Sequence, residues 1–309
     1  MKRVAGIDCG TNSIRLLIAD LSDAGLREVV RTMEIVRLGA GVDRTGILDE
    51  AALERTFAAA ERYAHLCRDH EVSDIRFVAT SATRDAQNRE VFVSGIRQRL
   101  GVEPEVVSGL EEAHLSFIGA LSHQRERSET TLVVDIGGGS SELVLGAGDV
   151  LAQYSMNIGC VRMTERHFHT DPPTAKEIAA ASADIDRALD VAERVVDLSK
   201  AEALVGLAGS VTTITAAALE LPSYQPAAID GTYLSVEEIT AQCHALLHAT
   251  RAERASYGFM HAGRVDVIGA GALIWQRIVA RVAARSTTVR GAITSEHDIL
   301  DGIALSLRD

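Results

Sequence analysis

The chain has 309 residues, 47% of them apolar and 24% charged, and a formal net charge of −12; that length holds two domains with full cores. The acidic balance excludes a broadly basic nucleic-acid-binding face. No apolar run approaches the ~18 residues of a membrane helix, and the opening MKRVAGIDCG has no signal-peptide apolar stretch, so a cytoplasmic protein is expected.

Residues 6–18, GIDCGTNSIRLLI, predict a strand, a tight turn and a returning strand. Arg27–Leu38 supplies a third strand that runs to Gly39, and Asp49 is placed to cap a helix reaching His70. A buried-type strand, Ile75–Ala79, delivers Thr80, Ser81, Ala82, Thr83 and Arg84 at its C-terminal end, where α/β sheets place ligands. Hydroxyls and an arginine at a helix start suit an oxyanion; a capped helix with a surface arginine fits the same spacing equally well. After a strand at Pro104–Val107, Ser108 with Glu111 or Glu112 reads as a helix cap. Its place beside a strand terminus keeps a catalytic carboxylate in view, and spacing does not choose between the two glutamates. Residues 124–130, QRERSET, are polar without an apolar anchor and mark the boundary between two lobes.

The same plan then repeats. Moving Gly6–Ile18 forward by 127 positions sets Asp8 on Asp135, Gly10 on Gly137, Ser13 on Ser140 and Leu16 on Leu143. In the second copy, VVDIGGGSSELVL, glycines permit a tight turn and leave bare amides for an anion, while Asp135 and Glu142 offer oxygen ligands to a metal. A third strand, Val150–Ile158, again runs to a glycine, Gly159. A helix over Thr174–Lys200, a strand at Ala203–Leu207 and the helix start Ala208-Gly209-Ser210 follow. Tyr257–Asp266 reads as a loop before a helix at Val267–Ala284; the last strand is expected at Thr287–Arg290 and the last helix at Ser295–Leu307. One supersecondary plan used twice predicts an α/β protein with domains at 1–124 and 125–309. The final segment, 295–309, is able to pack back on the first domain. Two such lobes facing each other would set both turns and both aspartates on one cleft.

Four cysteines, Cys9, Cys67, Cys160 and Cys243, form no CxxC pair and read as buried reduced thiols. His244 and His248 share a helix face without a third ligand, which argues against zinc. There is no GxxxxGK[ST] loop.

Together, DCGTNSIRLLIAD, ATSATRDA, SGLEEAHLSFIGAL, VVDIGGGSSELVL and GLAGSVTTI resemble the exopolyphosphatase and guanosine pentaphosphate phosphohydrolase family, in order and along essentially the whole chain. That family lies within the sugar kinase, actin and heat-shock chaperone superfamily. The resemblance implies two duplicated ribonuclease-H-like (actin-like ATPase) domains with an interdomain cleft, and metal-assisted hydrolysis of a terminal phosphoanhydride with Mg2+ or Mn2+. By motif, Glu112 is the catalytic base, and Arg84 is a catalytic residue that grips phosphate. Thr11, Asn12, Ser13, Gly137, Gly138, Gly139, Ser140, Gly209 and Ser210 bind phosphate; Asp8, Asp135 and Glu142 serve the metal. Polyphosphate, with short chains favoured, or guanosine pentaphosphate is the expected substrate; ADP or ATP binding and a homodimer come with the likeness. An acceptor-dependent kinase and a nucleotide-binding regulatory module of the same superfamily are the competing readings. Ala40 departs from the acidic residue some members carry.

Overall fold

A computed structural model describes residues 2–23, 25–122 and 129–308, so most of the expected boundary segment 124–130 lies outside the described residues. In chain order the first stretch holds β1 (Lys2–Cys9), β2 (Ser13–Ser22), β3 (Gly25–Ile35), α1 (Val42–Thr45), α2 (Glu50–Asp69), β4 (Asp74–Ala79), α3 (Ser81–Asp85), α4 (Arg89–Leu100), β5 (Glu105–Val106) and α5 (Gly109–Leu121). The second holds β6 (Thr131–Ile136), β7 (Ser141–Ala147), β8 (Asp149–Met156), α6 (Cys160–His167), α7 (Ala175–Ala192), β9 (Ala203–Leu207) and α8 (Ala208–Ala218). It continues with α9 (Pro226–Ile229), β10 (Tyr233–Ser235), α10 (Val236–His248), α11 (Arg251–Ser256), α12 (Ile268–Arg285), β11 (Gly291–Thr294) and α13 (Ile299–Leu305).

The chain forms two compact units, residues 1–123 with 298–309, and residues 124–297. The first has a five-stranded sheet of order β3-β2-β1-β4-β5, the second a six-stranded sheet of order β10-β11-β9-β6-β7-β8. The places of β3, β2, β1, β4 and β5 are taken in the second sheet by β8, β7, β6, β9 and β11, and β10 is an extra antiparallel edge. This is the duplicated α/β architecture that the repeat implies.

In the first unit, α2 and α4 cover one face of the sheet around Phe57, Tyr63, Phe77 and Phe92. The other face is closed by α5 and α13, through Val4, Leu17, Leu300 and Ala304 and through Val78, Leu115, Ile299 and Ile303. Helix α13 comes close enough to β1 that a Cβ at Gly6 would stand 3.1 Å from the Leu300 carbonyl oxygen. In the second unit the core gathers around the fully buried Trp275 and Ile278 of α12 with Ile185 and Leu189 of α7.

Several expected boundaries move. The last strand is Gly291–Thr294 rather than Thr287–Arg290, despite the β-branched residues of the latter. The Ser286 hydroxyl accepts the amides of Thr288 and Val289, both at 3.1 Å, and folds that stretch into a turn. Pairing with β9 begins only at Ile293. The helix expected to reach Lys200 ends at Ala192, and Asp197 then caps a 3-10 turn at Leu198–Lys200. The last helix spans Ile299–Leu305 rather than 295–307, because Asp298 is its cap. The strand expected at 104–107 is two residues long, and β3 stops at Ile35 because the amides of Val36 and Arg37 turn to the Asn12 carbonyl.

Candidate functional site

Both hairpin turns close in the same way. The Gly10 amide donates to the Ser13 carbonyl at 2.9 Å, and the Gly137 amide to the Ser140 carbonyl at 3.0 Å. Behind each turn lies the glycine that follows the third strand, Gly39 or Gly159. A Cβ at Gly39 would overlap the Thr11 methyl, and one at Gly159 would overlap the backbone of Gly138 and Gly139. Only a residue without a side chain lets the chain cross so near its own turn.

In the second unit the turn's carbonyls are spoken for. Gly137 accepts from Cys160 at 3.0 Å, Gly138 from Val161 at 2.9 Å and Arg162 at 3.1 Å, and Gly139 from the Arg162 Nε at 2.7 Å. The amides of Gly138, Gly139 and Ser140 make no backbone hydrogen bond among the described residues. The Ser140 hydroxyl is buried there without a partner. Carbonyls tied back and amides left over are what an anion-binding turn requires.

Two carboxylates stand beside it. Asp135 and Glu142 are direct cross-strand partners and so share a face. They are 7% and 1% exposed, and Glu142 Oε1 accepts from Ser155 at 2.8 Å. Like charges set opposite each other on a sheet repel, so this pair suits a divalent cation. No group of three potential metal-binding side chains occurs among the described residues.

The first hairpin differs at one position. Asp8 is opposite Arg15, the residue 127 positions before Glu142. Arg15 Nε and Nη2 both donate to Asp8 Oδ2, at 2.9 and 2.7 Å, and its Nη1 pairs with Asp298. Burial pushes the Asp8 carboxyl above its ordinary range, against the pull of Arg15. The expected metal role of Asp8 thus meets a competing partner, since the chain supplies its own cation there. Next to this pair, Thr11 is buried with its hydroxyl 2.9 Å from that of Ser81, so the turn and the start of α3 are tied together. Asn12 and Ser13 are half-buried at the turn.

Helix α3 carries Arg84 to Glu112. Arg84 Nη1 donates to Glu112 Oε2 at 3.0 Å and to the Val107 carbonyl at 2.9 Å. Ser108 caps α5, placing both glutamates in its first turn, where the helix end favours negative charge. The helix then separates them. Glu112 is 7% exposed, whereas Glu111 lies outside against Arg76, which also holds Glu105. Geometry therefore distinguishes two carboxylates that spacing leaves equivalent.

Gly209 and Ser210 open α8 after Ala208, whose left-handed φ of 66° is rare for a residue with a side chain. A Cβ on Gly209 would overlap the Arg264 guanidinium. Arg264 donates to the Thr213 hydroxyl at 3.2 Å and lies 5.8 Å from the Tyr224 ring centroid. Burial pushes the Tyr224 phenol up to about 12, so it stays neutral, 2.7 Å from both Thr212 Oγ1 and Glu296 Oε1. Arg15, Asp298 and Arg264 were not legible as site residues. Shifting Glu142 back by 127 positions would have found Arg15; Arg264 sits in a loop with no periodic mark.

The family model of the Ppx/GppA phosphatase family matches residues 17–307. Exopolyphosphatase 2 of Mycobacterium tuberculosis is 45% identical over 316 aligned residues, covering 99% of both chains. A guanosine-5'-triphosphate,3'-diphosphate pyrophosphatase of Photobacterium profundum is 33% identical over 68% of this chain and 42% of its own length. Among solved structures, an exopolyphosphatase-like protein superposes with a TM-score of 0.96 at 47% identity, covering 99% of this chain and 97% of that one. The PPX-GPPA enzyme of Aquifex aeolicus superposes at 0.81 with 29% identity, over 99% of each. With its sheet order, its paired turns and these matches, the chain belongs to the Ppx/GppA phosphatase family.

Proposed function

We propose that the protein is an exopolyphosphatase, releasing terminal orthophosphate from inorganic polyphosphate with Mg2+ or Mn2+. The observation that carries this reading is the buried Glu112 held by Arg84 at a strand terminus, in a chain that also bears the glycine turn with leftover amides. Glu112 would accept a proton from the attacking water as the water oxygen bonds the terminal phosphorus and the bridging P–O bond breaks. Arg84 holds that carboxylate and neutralises charge on the departing phosphoryl group. The amides of Gly138–Ser140, the Ser140 hydroxyl, Thr11, Asn12 and Ser13 would grip phosphate oxygens, with Gly209 and Ser210 at a further phosphate. Asp135 and Glu142 would hold the cation, and Asp8 is the further carboxylate that the family resemblance assigns to it. When bound, the cation supplies charge neutralisation on the phosphate oxygens.

Guanosine pentaphosphate is the second substrate proposed, because a relative named as a guanosine-5'-triphosphate,3'-diphosphate pyrophosphatase matches 68% of the chain. A homodimer, a cytoplasmic location and an ADP or ATP interaction are further proposals that rest on the family resemblance. No described helix is long and apolar enough to cross a membrane. Phosphate release is measured from polyphosphates of defined length and from guanosine pentaphosphate, with the cation titrated from a chelated start; short chains are the expected favourite. Absence of release from all of them, with phosphate passed to an added acceptor instead, would select the kinase reading.

A further inference from the structure

We infer that Asp298 is a positioning residue: its carboxylate holds the Arg15 guanidinium against Asp8 in the first hairpin. This rests on the phosphohydrolase reading of that hairpin.

Asp298 lies 283 positions from Arg15 in sequence, and it is 5% exposed. Its two oxygens have separate tasks. Oδ1 accepts the Leu300 amide at 3.0 Å and caps α13, while Oδ2 pairs with Arg15 Nη1. Asparagine, serine or threonine would satisfy the cap's hydrogen bond; a charge there also suits the helix end, and the second oxygen places it against Arg15. The Asp298 amide in turn donates to Asp301 Oδ2 at 3.1 Å, and Asp301 Oδ1 accepts from Arg31 at 2.7 Å.

The backbone is fixed as firmly as the side chain. A Cβ at Gly119 would overlap the Asp298 carbonyl, and one at Gly302 the Leu115 carbonyl, so α5 and α13 meet without side chains between them. Asp298 therefore cannot drift, and Arg15 is clamped from two sides: Nε and Nη2 to Asp8, Nη1 to Asp298. An arginine with one anchor keeps a long flexible stem and turns toward whichever anion is near. Beside a polyphosphate, that anion would be the substrate, and Asp8 would lose its partner. The clamp keeps the built-in cation of the first hairpin on its own carboxylate, in the place that Glu142 occupies in the second.

The test is a double-mutant cycle of Asp298→Asn and Arg15→Ala in the full chain. It is read as kcat and KM for phosphate release from a short polyphosphate, with the Arg15 Nε–H resonance in nuclear magnetic resonance spectra as a second measurement. Asparagine retains the cap, so α13 and the melting temperature are expected to hold. Asp298→Asn is expected to lower kcat about tenfold, the scale of coupling between residues in one network. It should add nothing in the Arg15→Ala background, and the Nε–H resonance should shift or broaden. An equal loss in both backgrounds, unchanged kcat, or an unmoved resonance would each overturn the inference. If the wild type releases no phosphate from any substrate, the phosphohydrolase reading fails, and the resonance alone decides whether Asp298 positions Arg15.

Discussion

Replacing Glu112 by glutamine keeps the shape of a buried side chain and removes its ability to take a proton. A positioned general base contributes about 10²–10⁴ in rate, and each tenfold is about 1.4 kcal/mol. The barrier should therefore rise by about 3–5 kcal/mol, seen as a fall in kcat of two to four decades. The fold should lose far less. Arg84 keeps the Val107 carbonyl at 2.9 Å and can still donate to the amide oxygen, so exchanging one charge-assisted bond for a neutral one costs about 1 kcal/mol. Glu111→Gln is the internal control. Its side chain is 41% exposed and faces Arg76, which retains Glu105, so kcat should stay within about twofold, in line with the small worth of exposed pairs. Phosphate release from a short polyphosphate at saturating cation, with melting curves for each variant, provides both readings. A Glu112→Gln enzyme keeping more than a tenth of wild-type kcat, or a larger loss from Glu111→Gln, would refute the assignment.

Gly159→Ala forces a methyl group into the Gly138–Gly139 backbone and should cost about 1–3 kcal/mol, as overpacked sites do, with phosphate release falling more steeply than the melting temperature; full activity with an unchanged melting curve would contradict the close approach. Trp275→Ala empties a 1% exposed site in the largest core and should destabilise by about 3–5 kcal/mol in denaturant titration. All four thiols are buried, and burial pushes that of Cys67 up to about 11; the folded protein at pH 8 should resist a thiolate-directed reagent that titrates four groups after unfolding. Glu177 accepts from Thr170, from the Thr174 amide and hydroxyl and from the His169 amide, and its carboxyl falls from 4.5 to about 2. In that window the unfolded chain binds the extra proton, so this stabilisation is complete above pH 4.5 and disappears as pH falls toward 2. Glu177→Gln should therefore show a smaller drop in urea midpoint from pH 5 to 2 than the wild type, and parallel curves would count against it.

What could be read from the residues was what repeats and what is local. Asp8, Gly10 and Ser13 find their counterparts at a constant offset, and the observed strand order and turn hydrogen bonds obey it. Caps at Asp49 and Ser108 are short-range chemistry and appear where expected. Ion pairs such as Arg15–Asp298 join residues with no periodic relation, and only the folded chain brings them together. The choice between Glu111 and Glu112 turned on which side of a helix met Arg84, a matter of packing rather than spacing. Thr287–Arg290 misled because strand-forming side chains were overruled by one serine hydroxyl, and the apolar spacing of 174–200 runs on past the helix end at Ala192 into a separate 3-10 turn capped by Asp197.

Helix α13 has a consequence for biosynthesis. Nascent chains leave the ribosome in order, and domains commonly fold in that order. Here Gly6 and Val4 wait for Leu300 and Ala304, which are translated only after the second unit. The second unit precedes them in the chain, so the unit begun first is completed after it, and a nascent chain stalled before Leu300 would leave that face of the sheet covered by α5 alone.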